Sequence, residues 1–289
     1  MSRGWLALLL ALLVAGCSTL KVAYDRLDGV VVQYVNEQVS LTPEQSKQLR
    51  QQLKTTRQWH CASQVQPYAH WLRAANADVQ AGAVDYRQIE ARYAELRQLW
   101  RVLMEQSADA LAELIPSLSD AQVQEYFHNL DRDNAELWAE ILGRSPDELR
   151  QRAERQMEEQ LERWIGHLTP GQREALRGWS ADINGAGAAA RIEARVAWQQ
   201  ELRQVMQQRA DGATLRAGLR QLLAEPERGW SSEYAEQRAA RRERMLRLLA
   251  DIGATLTERQ RAALERRALR WAEDFDDLAC ASGKRVGAS

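Results

Sequence analysis

The chain is short of the residues that cross-link or interrupt a backbone: 3 Cys, 6 Pro and 16 Gly in 289 residues. Three cysteines exclude a disulfide scaffold and an iron–sulfur cluster. So little Pro and Gly, set against abundant Ala, Leu, Gln, Glu and Arg, speaks against sandwiches and barrels and for helix. Charge of one sign is lacking too: 39 basic against 40 acidic residues give a net charge of −1. That balance excludes a nucleic-acid binder relying on a broad basic field. Long apolar runs are missing. The longest, Trp5 to Ala15, has eleven residues, well below the roughly 20 of a spanning helix. What is present is globular, with 27% charged and 45% apolar residues.

Arg3, the apolar run and then Val14-Ala15-Gly16-Cys17 form one unit. Small residues directly before a Cys are what a signal peptidase needs at its cut, and the unit resembles a bacterial lipobox. The resemblance implies cleavage before Cys17 and diacylation of its thiol, so that acyl chains hold the protein on a membrane. Ser18 follows, not Asp, which implies the outer membrane with the chain facing the periplasm. The competing reading is an ordinary signal peptide with a chance Cys. Cleavage removes 16 residues including Arg3, leaving 273 with a net charge of −2. In an oxidising periplasm the remaining Cys61 and Cys280 form either one disulfide or two buried thiols.

Helical periodicity dominates the rest. Ile89, Tyr93, Leu96, Leu99, Trp100, Leu103 and Met104 make one stripe; Leu149, Ala153, Met157, Leu161, Trp164, Ile165 and Leu168 make another. Each stripe has a polar opposite face, as in surface helices packed round a shared core. Pro43, Pro146 and Pro170 each follow a capping hydroxyl, and Pro67, Pro116 and Pro226 fall at expected breaks. Asn184 to Gly187 reads as a loop or frayed turn. The expected fold is an all-α multi-helix bundle.

One signature recurs four times: Leu41-Thr42-x-x-Gln45, Leu118-Ser119-x-x-Gln122, Leu168-Thr169-x-x-Gln172 and Leu256-Thr257-x-x-Gln260. Each reads as a capping box, the hydroxyl accepting from the first turn and the Gln reaching back to the cap N–H. Only the second has an apolar partner, Val123, for a hydrophobic staple. The other three Leu are expected to pack on other helices. The spacing, and the match of Leu72–Gly82 to Leu202–Gly212, suggests two related halves. The expected plan is a signal peptide 1–16, an anchor-proximal segment 17–40, halves 41–142 and 168–280 joined by a helix in 143–167, and a disordered tail 281–289.

The repeated motif resembles that of periplasmic LTxxQ proteins, among them stress regulators and antiaggregation chaperones. A fuller resemblance is to an uncharacterised proteobacterial lipoprotein family, a domain of unknown function. It rests on the lipobox at Cys17, Tyr24 to Tyr34, Leu41 to Gln45, Trp59-His60 and Pro67-x-Tyr68, with Cys61 where Arg is expected. It implies an envelope protein and brings no reaction with it.

Other constellations are thin. His60, Cys61 and His70 lie close in sequence but straddle Pro67, and helical histidines with ordinary partners are the expectation, with no metal. Glu125-x-x-His128 lacks the second pair of a di-iron bundle, and His167 stands alone. No nucleophile motif or phosphate loop occurs, so no catalytic residue and no cofactor is assigned. Arg238, Arg241, Arg242, Arg244 and Arg247 read as a solvated, internally paired face, the competing reading being contact with lipid or lipopolysaccharide phosphates. The Trp residues read as core, or as the lining of a groove for an unfolded client. The expected role is non-enzymatic, either binding of an envelope protein or unfolded client or a part in envelope homeostasis, without nucleic acid. The alternative is an enzyme acting on envelope polymer or lipid through carboxylates assembled by the fold.

Overall fold

A computed structural model describes residues 17–280. The signal peptide of 1–16, the tail of 281–289 and the side chain of Cys17 lie outside the described residues. Eleven α-helices and two 3-10 turns follow one another, with no strand among the described residues. They are α1 (Cys17–Gln38), α2 (Pro43–Ser63), α3 (Val65–Gln80), α4 (Tyr86–Leu114), α5 (Asp120–Leu142), α6 (Pro146–Ile165), α7 (Pro170–Ser180), α8 (Gly185–Gln207), α9 (Gly212–Ala224), α10 (Ser232–Ala254) and α11 (Glu258–Leu278). The turns are Ile115–Ser117, before α5, and Pro226–Gly229, before α10.

The helix starts are written in side chains. A hydroxyl caps α2, α5, α6, α7, α10 and α11, and Asp85, Asn184 and Asp211 cap α4, α8 and α9. Each cap contributes about 1 kcal/mol by satisfying an orphan N–H. Asn184 corrects the expected loop at 184–187, for its side chain accepts from the Gly187 N–H and starts α8 at Gly185. The two glycines sit in the first turn, where an Asn cap offsets their poor helix propensity. Pro67 is the third residue of α3, where a missing N–H removes no intrahelical bond.

Three buried apolar clusters organise the bundle, the smallest made of Val32, Leu49 and Leu114. The first joins Ala108, Ala112, Ile115, Leu118, Phe127 and Leu130 to Leu202, Met206, Leu215, Leu219 and Leu222. The second joins Leu161, Ile165, Leu168 and Leu176 to Leu248, Ile252 and Leu256. Leu215 and Leu219 are fully buried, each contributing about 1.5–3 kcal/mol relative to exposure. The first core draws on both 41–142 and 168–280. The most extensive helix packings, α3 on α11 and α4 on α9, also cross that division. Leu72–Gly82 and Leu202–Gly212 both end a helix, but Gly82 has φ 70° in a turn whereas Gly212 opens α9.

α4 ties the two ends together. Its 29 residues run about 43 Å at 1.5 Å per residue. One end leads into Leu118 in the first core. The other follows Val84, whose methyl groups lie against Gly253, three residues before Leu256 of the second core. No helix among the described residues is long and apolar enough to cross a membrane.

Candidate functional site

All four expected capping boxes form, with hydroxyl-to-N3 and Gln-to-cap bonds both made at Thr42/Gln45, Ser119/Gln122, Thr169/Gln172 and Thr257/Gln260. The bundle then brings them together in pairs, which sequence reasoning missed. Nε2 of Gln45 donates to Oε1 of Gln122 at 3.1 Å, and Nε2 of Gln122 donates to Oε1 of Gln45 at 2.7 Å. Gln172 and Gln260 do the same at 3.0 and 2.8 Å.

The second proton of each amide goes to the partner's entry loop. Gln45 donates to the Ser117 carbonyl (2.6 Å), Gln122 to Ser40 (2.7 Å), Gln172 to Thr255 (3.2 Å) and Gln260 to His167 (2.9 Å). Every acceptor lies two residues before the partner's cap, so the two locks are built alike. Each amide makes four bonds, the full inventory of a carboxamide. Gln172 is 1% and Gln260 4% exposed, so an unmade bond there would be costly.

The motif leucines seal the locks: Leu118 lies in the first core, Leu168 and Leu256 in the second, and Leu41 packs against the first core from the side. In the second lock Gly166, at φ 81°, turns the chain out of α6 to present the His167 carbonyl. That φ is open to Gly and strained for other residues. A fifth box, Ser145 with Glu148, explains the choice of Gln. A carboxylate serves a box as well as an amide, but it cannot donate across to a second helix.

A second cluster gathers the other motif residues. His60 (α2) lies between Tyr24 (α1) and Tyr68 (α3), with ring centroids 5.8 and 5.5 Å away, and Tyr68 meets Phe275 (α11) at 5.6 Å. The Tyr24 hydroxyl is 3.2 Å from the Arg57 carbonyl and 3.0 Å from Nδ1 of His60. With the hydroxyl donating to the carbonyl, the Nδ1–H tautomer of His60 donates to the phenol oxygen. Burial pushes His60 down to about 4 and the Tyr24 and Tyr68 hydroxyls up to about 12. All three groups are therefore neutral near pH 7. Arg57 closes the edge with ion pairs to Asp28 (3.3 Å) and Asp25 (3.4 Å).

Cys61, about 100° round the helix from His60, is disulfide-bonded to Cys280 with Cα atoms 5.2 Å apart. The Cys280 N–H also donates to the Cys61 carbonyl at 3.1 Å. Of the two readings left open by the sequence, the structure has the disulfide.

The remaining candidates are dispersed. His70 and His128 are exposed, and His167 lies 3.2 Å from Glu162 at the surface. Glu125 accepts from the Ser40 N–H and hydroxyl at 2.9 and 2.6 Å, which holds its carboxyl below the ordinary range and ties α5 to the α1–α2 turn. No group of three or more His, Cys, Asp or Glu is placed to hold a metal ion among the described residues.

Trp59 borders an open groove of about 580 Å³ between α2, α4 and α9. Asp109 there takes both forks of Arg220, at 2.8 and 2.7 Å, and Glu225 pairs with Arg228 at 3.3 Å. The groove is thus an aromatic ledge among internally neutralised charges. None of the nine Trp among the described residues is buried, and Trp100 is 45% exposed.

The fold and these locks define an all-α, disulfide-closed bundle stabilised at paired helix N-termini. The profile of a family of unknown function, DUF6279, matches residues 37–235, and the chain belongs to that family. The matched region holds the first three motifs, His60 and Tyr68. Tyr24, the fourth motif and Cys280 fall outside it. No curated protein and no solved structure matches the chain.

Proposed function

We propose that this is a lipid-anchored protein of the outer membrane's periplasmic face that works by binding another envelope protein, not by catalysis. The observation that carries the reading is the Trp59 groove: open, aromatic on one side and lined by charges already paired to one another. Such a surface suits a polypeptide of mixed polarity, because polar rims with an aromatic anchor are what protein interfaces use. The carboxylates that an envelope hydrolase would need are here held by arginines. The Cys61–Cys280 bridge supports an oxidising compartment, and the lipobox-like segment before Cys17 supports the anchor.

Two measurements test this. Palmitate labelling should be lost in Cys17→Ala and the uncleaved precursor should accumulate under globomycin; labelling that survives the substitution refutes the anchor. A photo-crosslinking residue at Gln106 or Gln221, both in the groove, should capture a discrete envelope protein in cells. A crosslinker on exposed Gln156 should not. Equal capture at all three sites, or none in the groove, refutes the binding reading.

A further inference from the structure

The arginine run of α10 pairs internally only in part. Among the described residues, Arg247 pairs with Glu243 at 2.6 Å and Arg244 reaches Asp182 only at 3.8 Å. Arg238, Arg241 and Arg242 have no carboxylate within ion-pair distance, and neither has Arg191 of α8 among those residues.

Arg238, Arg241 and Arg244 recur at three-residue intervals, so they share one face of α10. Arg191, from the helix packed beside it, joins them electrostatically: Arg241 feels the like charges of Arg191, Arg238 and Arg244 at once. Arg238 is fixed by lying 5.6 Å from the centre of the Trp230 ring, which meets Tyr234 edge-on at 5.2 Å. Arg241 thus has three like-charged neighbours, on its own helix face and on the helix packed beside it, and the one ion pair among these four arginines is that of Arg244 with Asp182 at 3.8 Å.

From this arrangement we infer that Arg191, Arg238, Arg241 and Arg244 form a binding site for a phosphate-bearing anion. A phosphate monoester or pyrophosphate fits better than a carboxylate. It carries close to two negative charges and offers several oxygens to planar guanidinium forks, whereas one carboxylate leaves most of the cluster unpaired. Burial first, and like-charge crowding second, weaken the hold of the Arg241 guanidinium on its proton. A polyanion relieves this crowding on binding. The phosphate can belong to a soluble molecule or to a lipid headgroup.

The test uses residues 17–289, the mature chain that the lipobox implies, carrying Cys17→Ser, so that neither an acyl chain nor the apolar leader drives vesicle binding. Melting temperature is followed against inorganic pyrophosphate, and co-sedimentation against vesicles containing phosphatidic acid, a lipid phosphate monoester, with phosphatidylcholine controls. Binding to either phosphate source should weaken at least tenfold in Arg241→Gln and in Arg191→Gln. Paired Arg247→Gln should bind as the parent does. Without anion, Arg241→Gln should melt no lower than the parent, which separates lost binding from lost folding. Response to pyrophosphate identifies a soluble ligand, and response to phosphatidic acid alone identifies a headgroup; both support the site. Absence of both responses overturns it, as does equal weakening by Arg247→Gln, which would reduce the effect to diffuse positive charge.

Discussion

Gln172 and Gln260, 88 residues apart, exchange two amide hydrogen bonds across the N-termini of α7 and α11. Each also completes its own capping box. One side chain therefore closes a helix end and fastens it to another helix, and Gln45 with Gln122 repeats the arrangement. A capping box alone accepts Glu or Gln. The reciprocal pair needs a group that both donates and accepts, and among acyclic side chains of this length that is Gln.

Substitution should reveal the pairing as a coupling energy. Gln172→Ala leaves one Nε2 proton of Gln260, the Thr255 carbonyl and the Thr169 N–H without their partners, and should cost about 2–4 kcal/mol. Gln260→Ala should cost a similar amount. The double variant should lose less than the sum by about 1–3 kcal/mol, since the second change removes groups already stranded. Gln172→Glu keeps the capping acceptor but faces two oxygens with a carboxylate. Its deficit should shrink on acidification, when the protonated carboxyl donates again. Urea denaturation of the four proteins reads this directly, and strict additivity sinks the lock. The exposed Glu148→Gln at the unpaired box should change stability by less than about 0.5 kcal/mol.

His60 sets a pH dependence. Its folded value of about 4 lies below the ordinary 6.5, so between these pH values the unfolded chain takes up a proton that the folded chain refuses. Stability from this group is complete above pH 6.5 and declines as pH falls towards 4, by no more than about 3 kcal/mol. His60→Gln removes the titration. Its stability curve should be flatter than the parent's across that window, even if lower at pH 7. Parallel curves would assign the acid sensitivity elsewhere.

The Cys61–Cys280 bridge spans 219 residues, a loop long enough for chain entropy to be worth up to about 5 kcal/mol. Cys280→Ser should lower the melting temperature by on the order of 10 °C. Reductant should bring the parent down to the same value and leave the variant unmoved. A reductant effect of equal size on both would show that the bridge contributes nothing.

Helix class, capping residues and the burial of the motif leucines follow from local rules, which is why they can be read from the chain. Thr42 or Ser119 meets its Gln one helical turn away, and that geometry is fixed by the helix itself. The pairing of Gln172 with Gln260 is set by how α7 and α11 cross, and nothing near either residue records it. The same holds for Tyr24, His60 and Tyr68, which the sequence places in one motif list without showing that three helices bring them to one spot. The glycines after Asn184 look like a loop, yet the cap wins, since one side-chain bond offsets weak propensity in the first turn. The arginine run shows the opposite failure. Plentiful neighbouring Glu suggests pairing, yet in α10 Glu243 faces Arg247 and leaves Arg241 to its like-charged neighbours.

Gly253 carries the last prediction, because α10 and the turn before α4 approach each other too closely there for a side chain. A Cβ on Gly253 would sit 2.2 Å from Cγ1 of Val84, and the branched valine has few rotamers to escape into. Overpacking of this kind costs about 1–3 kcal/mol, against which Ala regains about 1 kcal/mol of helix propensity. Gly253→Ala should thus be neutral to destabilising by about 2 kcal/mol in the parent. In a Val84→Ala background the 2.2 Å clash is gone and only a 3.1 Å approach to the residue-84 Cβ remains, so the same substitution should shift towards stabilising by about 1–3 kcal/mol. Thermal or urea denaturation of the four proteins gives the sign of Gly253→Ala in each background. An unchanged sign and size would mean that Val84 does not press on α10, and that the long helix α4 is not fastened to the second lock at this point.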